Sequence, residues 1–419
     1  MTLTQRDVPD LDIEKACVLG AGTMGRGIAV AFSNTGIPVT IIDPSHPAVD
    51  AAKDAIQTIM QRATDKGRIT NDEAHQRLAL ITYSTDDDGY AQADVIIEAA
   101  FEDLSLKHQL FKKMDRLCKP GCILATNTSS LDIDDIARVT SRPDDVLGLH
   151  FFSPAHVMKL LEIVRGAKTS GTTLNRARDL GIRLGKTSVV VGNCPGFTGN
   201  RMYHKYNAQA FQLLEDGATP SDIDCVLKDF GFAMGPLAVG DLSGLDIGWN
   251  IRKEKAKTEG IDDTFPIVQD MICEAGRFGQ KTGKGWYRYN AGDRMPFPDD
   301  EANAIIKAAS EKRGILRRPI KDQEILQRCL YALVNEGAKL LTEGMVDNAH
   351  DIDTVWTAGY GFPKTKIGPM AYADQIGLTV IVSRLEDYFK NGVLALRPAQ
   401  LLISLAQSGQ TFADWKKPI

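Results

Sequence analysis

Six residues near the N-terminus, Gly20-Ala21-Gly22-Thr23-Met24-Gly25, form a G-x-G-x-x-G turn. It follows the β-branched run Lys15–Leu19 and opens a helical pattern over Thr23–Asn34. Gly20 permits a tight turn, Gly22 lets the backbone approach a pyrophosphate, and Gly25 lets helix and strand pack closely. The helix N-terminus, with Thr23 and Met24 in its first turn, then offers N–H groups and a positive dipole to phosphates. Asp43 ends the second strand, 18 residues beyond Gly25. A carboxylate there accepts from an adenosine ribose 2′-hydroxyl and repels a 2′-phosphate. Pro44-Ser45-His46 follow, with no arginine to hold such a phosphate, so NAD(H) is expected over NADP(H). Two more polar segments lie just past strand ends, where an α/β sheet places its chemistry. Asn127-Thr128-Ser129-Ser130 follows Ile123–Thr126, and His150-Phe151-Phe152-Ser153-Pro154 follows Val146–Leu149. Glu162, twelve residues after His150, sits in the apolar run Leu160–Val164, where a shielded acid needs a partner. No His or Cys spacing suggests a metal.

These residues need a sheet to hold them. Between residues 15 and 190, short runs (also Asp94–Ala99 and Ser188–Val191) alternate with helical patterns at Ala48–Lys66, Leu104–Cys118, Ile133–Thr140 and Leu174–Leu184. Apolar runs without alternation predict strands covered on both faces, hence a parallel sheet. After about residue 195 the texture is helical only. The expected organisation is an α/β Rossmann-type domain over 14–192, a helical domain over 193–290, a linker over 291–321 and a second helical domain over 322–419.

The two helical regions share motifs in the same order. Leu213–Gly217 answers Leu340–Gly344, Asp222-Ile223-Asp224 answers Asp351-Ile352-Asp353, and Gly231-Phe232 answers Gly361-Phe362. Gly235-Pro236 then answers Gly368-Pro369, and Asp241 with Gly244-Leu245 answers Asp374 with Gly377-Leu378. Five matches in order indicate a duplicated unit. Counting back 13 residues places Gln327-Arg328 opposite Asn200-Arg201, so the second copy is expected to do no chemistry of its own.

Composition sets the class. With 43% hydrophobic and 25% charged residues, the chain is globular. A net charge of −5, without a basic block, disfavours nucleic acid as a partner. Seven cysteines without a C-x-x-C pair fit a reducing compartment. Met1–Leu19 carries four acids and reads as neither a signal nor a transit peptide, and no apolar run of about 18 residues predicts a membrane span. The final Lys-Pro-Ile is not an S-K-L-type address, so a cytoplasmic protein is expected.

Together the motifs resemble the L-3-hydroxyacyl-CoA dehydrogenase family of fatty-acid β-oxidation. They are Gly20–Gly25, Glu98-Ala99-Ala100-Phe101-Glu102, Asn127–Ser130, Gly148–Phe152 and Lys159–Glu162, then Pro195-Gly196-Phe197 with Asn200-Arg201, and Gly279–Gly283 with Gly285. The resemblance covers residues 14–290. The duplicated tail resembles the dehydrogenase half of multifunctional β-oxidation enzymes, whose hydratase domain is expected to be absent because only 14 residues precede the first strand.

The resemblance implies NAD-dependent oxidation of (S)-3-hydroxyacyl-CoA to the 3-ketoacyl-CoA, with no metal. It implies His150 as the base for the 3-hydroxyl and Glu162 as the holder of its imidazole. Ser129 and Asn200 would bond the reacting oxygen or the thioester carbonyl. Asn127 would lie on the cofactor side, with Glu102, Lys107 and Lys281 on the cofactor's ribose and nicotinamide. Lys66, near Arg62 and Arg68, would meet the acyl carrier's phosphates. Ser153 stands where many members have Asn, although several multifunctional relatives also carry Ser there, so activity is expected to survive. A dehydrogenase of a non-CoA 3-hydroxy acid and a catalytically silent NAD-binding protein remain alternatives. In single-copy relatives the helical domain is a dimerisation surface. A tandem copy, held at an effective concentration on the order of millimolar, implies a monomer containing an intramolecular pseudo-dimer.

Overall fold

A computed structural model describes residues 13–259 and 265–417. The expectation about a leader segment falls mainly on residues 1–12 and lies outside the described residues. The chain divides into two compact units. The first runs through Gly199 and also includes Gly344–Asp347 and Ala358–Tyr360; the second holds Asn200–Glu343, Asn348–Thr357 and Gly361–Ile419. No described helix is long and apolar enough to cross a membrane.

The first unit is built on an eight-stranded sheet. Its strands are β1 (Ala16–Leu19), β2 (Val39–Ile42), β3 (Ile81–Ser84), β4 (Val95–Glu98), β5 (Ile123–Thr126), β6 (Val146–Phe151), β7 (Leu160–Arg165) and β8 (Thr187–Gly192). They lie in the order β3-β2-β1-β4-β5-β6-β7-β8. The pairs from β3 to β6 are parallel, as are β7 and β8, but β6 and β7 are antiparallel. The sheet is therefore mostly but not wholly parallel, which departs from the parallel sheet expected from the sequence. Only eight residues join β6 to β7, too few for a crossover connection of a dozen or more.

Its helices are α1 (Thr23–Ser33), α2 (His46–Asp65), α3 (Asn71–Ala79), α4 (Leu104–Leu117), α5 (Ile133–Ala137) and α6 (Gly171–Arg183). In α1, Ile28, Ala29, Val30, Ala31 and Phe32 are all buried, so the helix carries the turn that begins it directly onto the core. Strands β1, β4, β5 and β6 run in the same direction and bring Gly20, Ala99, Asn127 and His150 to one sheet edge. The strand order reverses about β1 and β4, the place where an open α/β sheet leaves its crevice.

In the second unit, α7 (Gly199–Asp216), α8 (Pro220–Phe230), α9 (Pro236–Ser243), α10 (Leu245–Glu259) and α11 (Val268–Glu274) form the first helical copy. Residues 291–321, expected as a linker, carry α12 (Asp300–Lys312). That stretch is pinned by Arg277 to Asp299 and Glu301, and by Ser310 Oγ donating to Glu215 O at 2.8 Å. The second copy comprises α13 (Asp322–Thr342), α14 (Ala349–Gly359), α15 (Pro369–Ile376), α16 (Leu378–Lys390) and α17 (Gln400–Ser408).

The duplication extends to hydrogen bonding. Asp224 accepts from Leu237 N and Ala238 N at the start of α9; Asp353 accepts from Met370 N and Ala371 N at the start of α15. Asp241 takes Trp286 N and Tyr287 N, as Asp374 takes Phe412 N and Ala413 N. The copies also grip each other reciprocally. Arg201 bonds Glu336 at 2.7 Å and Glu343 at 2.5 Å, while Arg328 bonds Gln209 at 3.1 Å and Asp216 at 2.5 Å. All four pairings follow one shift of 127 residues, so each contact of one arginine has its counterpart at the other.

Candidate active site

The glycine turn is shaped for a phosphate. A Cβ on Gly20 would stand 2.7 Å from Ala99 O, and one on Gly25 would run into Gly20 O, so both positions are closed by backbone. A Cβ on Gly22 would meet nothing within 4 Å. The residue is thus small toward open space, where a ligand fits. No side chain caps the N-terminus of α1, leaving its N–H groups available. Thr23 and Met24 occupy its first turn. Asp43 Oδ2 accepts from Ala21 N at 2.9 Å and its Oδ1 from Ser45 N at 3.0 Å, so the carboxylate ties the turn to the end of β2. These features fit a dinucleotide.

His150 lies within β6, not beyond it, directly opposite Glu162 in the antiparallel register with β7. His150 is 5% exposed and Glu162 fully buried. His150 Nδ1 stands 2.8 Å from Glu162 Oε2; a nitrogen donating to that carboxylate carries a proton, which in a neutral imidazole leaves the lone pair on Nε2. Glu162 Oε1 accepts from Gly199 N at 2.9 Å. Both carboxylate oxygens are used, which answers the need for a partner that the apolar run implied. Phe152 and Phe197 flank the imidazole at centroid distances of 4.5 and 5.5 Å. Phe197 reaches its place through the Pro195-Gly196 turn, with φ of 50°.

Glu102 organises the loop after β5. It accepts from Thr128 Oγ1 at 2.6 Å and Ser129 N at 3.0 Å, with Ser130 Oγ at 3.3 Å. Burial opposes its ionisation, but the Thr128 hydrogen bond, the Lys107 charge and the Ser129 N–H outweigh it and hold the carboxyl below its usual range. Lys107 is 1% exposed, and its ammonium is taken up by Glu98 at 2.7 and 2.8 Å and by Glu102 at 3.3 Å. The Lys107 ammonium thus has three carboxylate oxygens around it, on Glu98 and Glu102. Glu98 also accepts from Thr126 Oγ1 and Ala100 N. The sequence motifs give it no role of its own, although an acid ending the apolar run Val95–Glu98 is a visible signal. Asn127 Oδ1 accepts from Phe151 N at 2.8 Å, tying the loop after β5 to the strand of His150.

Lys66 caps the C-terminus of α2 and is exposed, with Arg62 and Arg68 nearby in sequence and also exposed. Asn200 and Lys281 belong to the second unit, where Lys281 Nζ is 2.5 Å from Asp246 Oδ1. Thus Ser129, His150 and Glu162 share the first unit with the glycine turn, Asp43, Glu102, Lys107 and Asn127, whereas Asn200 and Lys281 do not.

Comparison with known proteins agrees with this geometry. Residues 15–194 match the 3-hydroxyacyl-CoA dehydrogenase NAD binding domain. Residues 196–289 and 325–413 each match the C-terminal domain of that family. The peroxisomal bifunctional enzyme of Danio rerio is 42% identical over 97% of this chain and 58% of its own length. The Homo sapiens protein of the same name is 41% identical over 95% of this chain and 57% of its own. The chain therefore spans little more than half the length of these curated relatives. A solved 3-hydroxybutyryl-CoA dehydrogenase from Escherichia coli K12 superposes with a TM-score of 0.83 at 28% identity, covering 95% of this chain and all of that one. The expectation of a cytoplasmic protein is overturned, because relatives covering nearly the whole chain are peroxisomal or glyoxysomal. Free-thiol usage reports redox conditions, whereas a receptor reads an organellar address from a short peptide. NAD is the cofactor, and the chain belongs to the 3-hydroxyacyl-CoA dehydrogenase family.

Proposed function

We propose that the chain oxidises (S)-3-hydroxyacyl-CoA to 3-ketoacyl-CoA, reversibly, in fatty-acid β-oxidation. The observation that carries this is the buried His150–Glu162 pair on adjoining strands, in the same unit as an open glycine turn. NAD, when bound, supplies the hydride acceptor at its nicotinamide. His150 Nε2 takes the proton of the 3-hydroxyl as the C3–H bond breaks, leaving a C3 carbonyl. Glu162 stabilises the imidazolium so formed and fixes the proton on Nδ1. Ser129 and Asn200 orient the reacting oxygen or the thioester carbonyl. Glu102 orders the Ser129 loop, with Lys281 at the nicotinamide side and Asn127 bracing the strand of His150. Lys66 meets the phosphates of the acyl carrier, and Asp43 meets the adenosine ribose.

The reciprocal arginine pairs support a chain that is its own pseudo-dimer and functions as a monomer. The names of its relatives favour a peroxisomal setting. Initial rates of NADH oxidation with acetoacetyl-CoA and longer 3-ketoacyl-CoA substrates test the activity. Turnover of these thioesters in preference to free 3-hydroxy acids or carnitine is expected. Turnover of the free acids alone, or of neither, would refute it. Light scattering tests the oligomeric state, and a tight dimer at nanomolar concentration contradicts the monomer.

A further inference from the structure

Two short pieces of the second helical copy, Gly344–Asp347 and Ala358–Tyr360, belong to the same compact unit as the sheet. Each is seated where a glycine removes a side chain. Gly192 N, at the end of β8, donates to Met345 O at 2.6 Å, and a Cβ there would stand 2.8 Å from Met345 Sδ. A Cβ on Gly359 would press into Leu160 at the start of β7. Beside it, Tyr360 lies against Gly199, where a Cβ would fall 2.6 Å from the phenol oxygen. The Tyr360 ring also meets Phe152 edge-on, with centroids 5.6 Å apart at 78°.

Both neighbours of Tyr360 touch the His150–Glu162 pair. Phe152 lies 4.5 Å from the imidazole, and the Gly199 N–H is the second donor to Glu162. One hydrogen bond at Nδ1 leaves the imidazole plane free to rock, because rotation about its terminal torsion is broad. The flanking rings must limit it, and Phe152 is only partly buried, so its own plane needs a brace. Tyr360 supplies that brace on one side and presses on the Gly199 backbone on the other. The corresponding position of the first copy is Phe230, which packs on Phe362 and Tyr372 inside the helical unit. The same repeat position therefore does different work in the two copies.

We infer that Tyr360 is a positioning residue for the His150–Glu162 pair, so that the second helical copy, without chemistry of its own, completes the catalytic wall. This rests on the dehydrogenase reading above. In the full-length chain, Tyr360→Ala should lower kcat about 10–100-fold, the scale of a misplacement near 1 Å. Tyr360→Phe, which keeps the ring edge, should recover most of the activity, while the NADH dissociation constant stays as in the wild type. Gly199→Ala should also lower kcat, and adding Tyr360→Ala to it should cost less than the product of the two single losses.

The proton resonance of the His150 Nδ1–H provides a second readout, expected sharp in the wild type and in Tyr360→Phe, and broadened or lost in Tyr360→Ala. Should the alanine variant not fold, Tyr360→Leu is held to the same criteria. Wild-type kcat together with an unchanged Nδ1–H resonance in Tyr360→Ala would overturn the inference. So would a parallel loss of NADH affinity and melting temperature, which marks a merely structural role. A wild-type chain without turnover would count against the dehydrogenase reading instead, and the Nδ1–H comparison still decides the inference in that case.

Discussion

Glu162→Gln separates a catalytic carboxylate from a structural one, because both of its oxygens are accepting. Oε2 takes the proton on His150 Nδ1 at 2.8 Å and Oε1 takes the Gly199 N–H at 2.9 Å. A glutamine has one acceptor oxygen and one donor nitrogen, so it satisfies only one of these partners. If its oxygen stays on Gly199, its amide faces Nδ1 and forces the imidazole into the other tautomer, with Nε2 protonated and unable to act as a base. The corresponding carboxylate-to-amide change in a serine-protease triad costs about 10⁴ in kcat. If the amide flips to serve His150, the Gly199 N–H is orphaned in a buried site at about 1–3 kcal/mol. Either orientation also leaves the imidazolium without a counter-charge. The expected result is a kcat loss of roughly 10²–10⁴ with NAD affinity unchanged, and a lower melting temperature if the flipped form dominates. NADH oxidation with acetoacetyl-CoA, calorimetric titration with NAD and a thermal melt measure the three quantities. A variant with near-wild-type kcat and an unchanged melt would refute the tautomer argument.

His150→Ala should cut kcat by about 10²–10⁴ while leaving NAD titrations as in the wild type, since only proton transfer is lost. Gly22→Ala should leave the melting temperature intact yet weaken NAD binding, because its Cβ enters open space, whereas Gly25→Ala should destabilise the fold by colliding with Gly20 O. Asp43→Ala should weaken NAD binding and narrow the preference over NADP, read as the ratio of kcat/KM values. Comparable kcat/KM for both cofactors in the wild type would sink the assignment. Glu102 is held below its ordinary 4.5, so it contributes stability above that value that is lost as pH falls through its lower folded value. Glu102→Gln should therefore flatten the loss of stability on acidification below about pH 4.5, and an unchanged acid limb would contradict this.

The fold was legible where signals were local. The G-x-G-x-x-G turn, Asp43 and the ordered motif pairs needed only spacing to be read. The helix α3 and the strands β3 and β7 are not among the elements expected from the sequence, although Thr70 and Glu73 form a capping box that marks the start of α3. The pattern of α3 buries only Ala74, leaving little periodicity to detect. The direction of β7 was not legible from its apolar run, since burial on both faces looks alike in either direction. In the site, the acid in an apolar run pointed to a partner for Glu162, and the antiparallel register supplied it. The roles of Glu98 and Gly199 were not legible because each acts through contacts with residues distant in sequence. The same holds for Lys107, whose buried ion pair depends on how α4 seats on β4.

A true homodimer must make every change to its interface twice, since each mutation appears in both subunits and on both sides of the axis. In this chain the two halves of the interface are written separately. Arg201 faces Glu336 and Glu343, but Arg328 faces Gln209 and Asp216, so one arm has two acids and the other has one. The exposure differs as well, with Arg201 at 19% and Arg328 fully buried. Such asymmetry is closed to a symmetric homodimer but open to two copies written in one chain. A sequence change in either half therefore has a single structural effect.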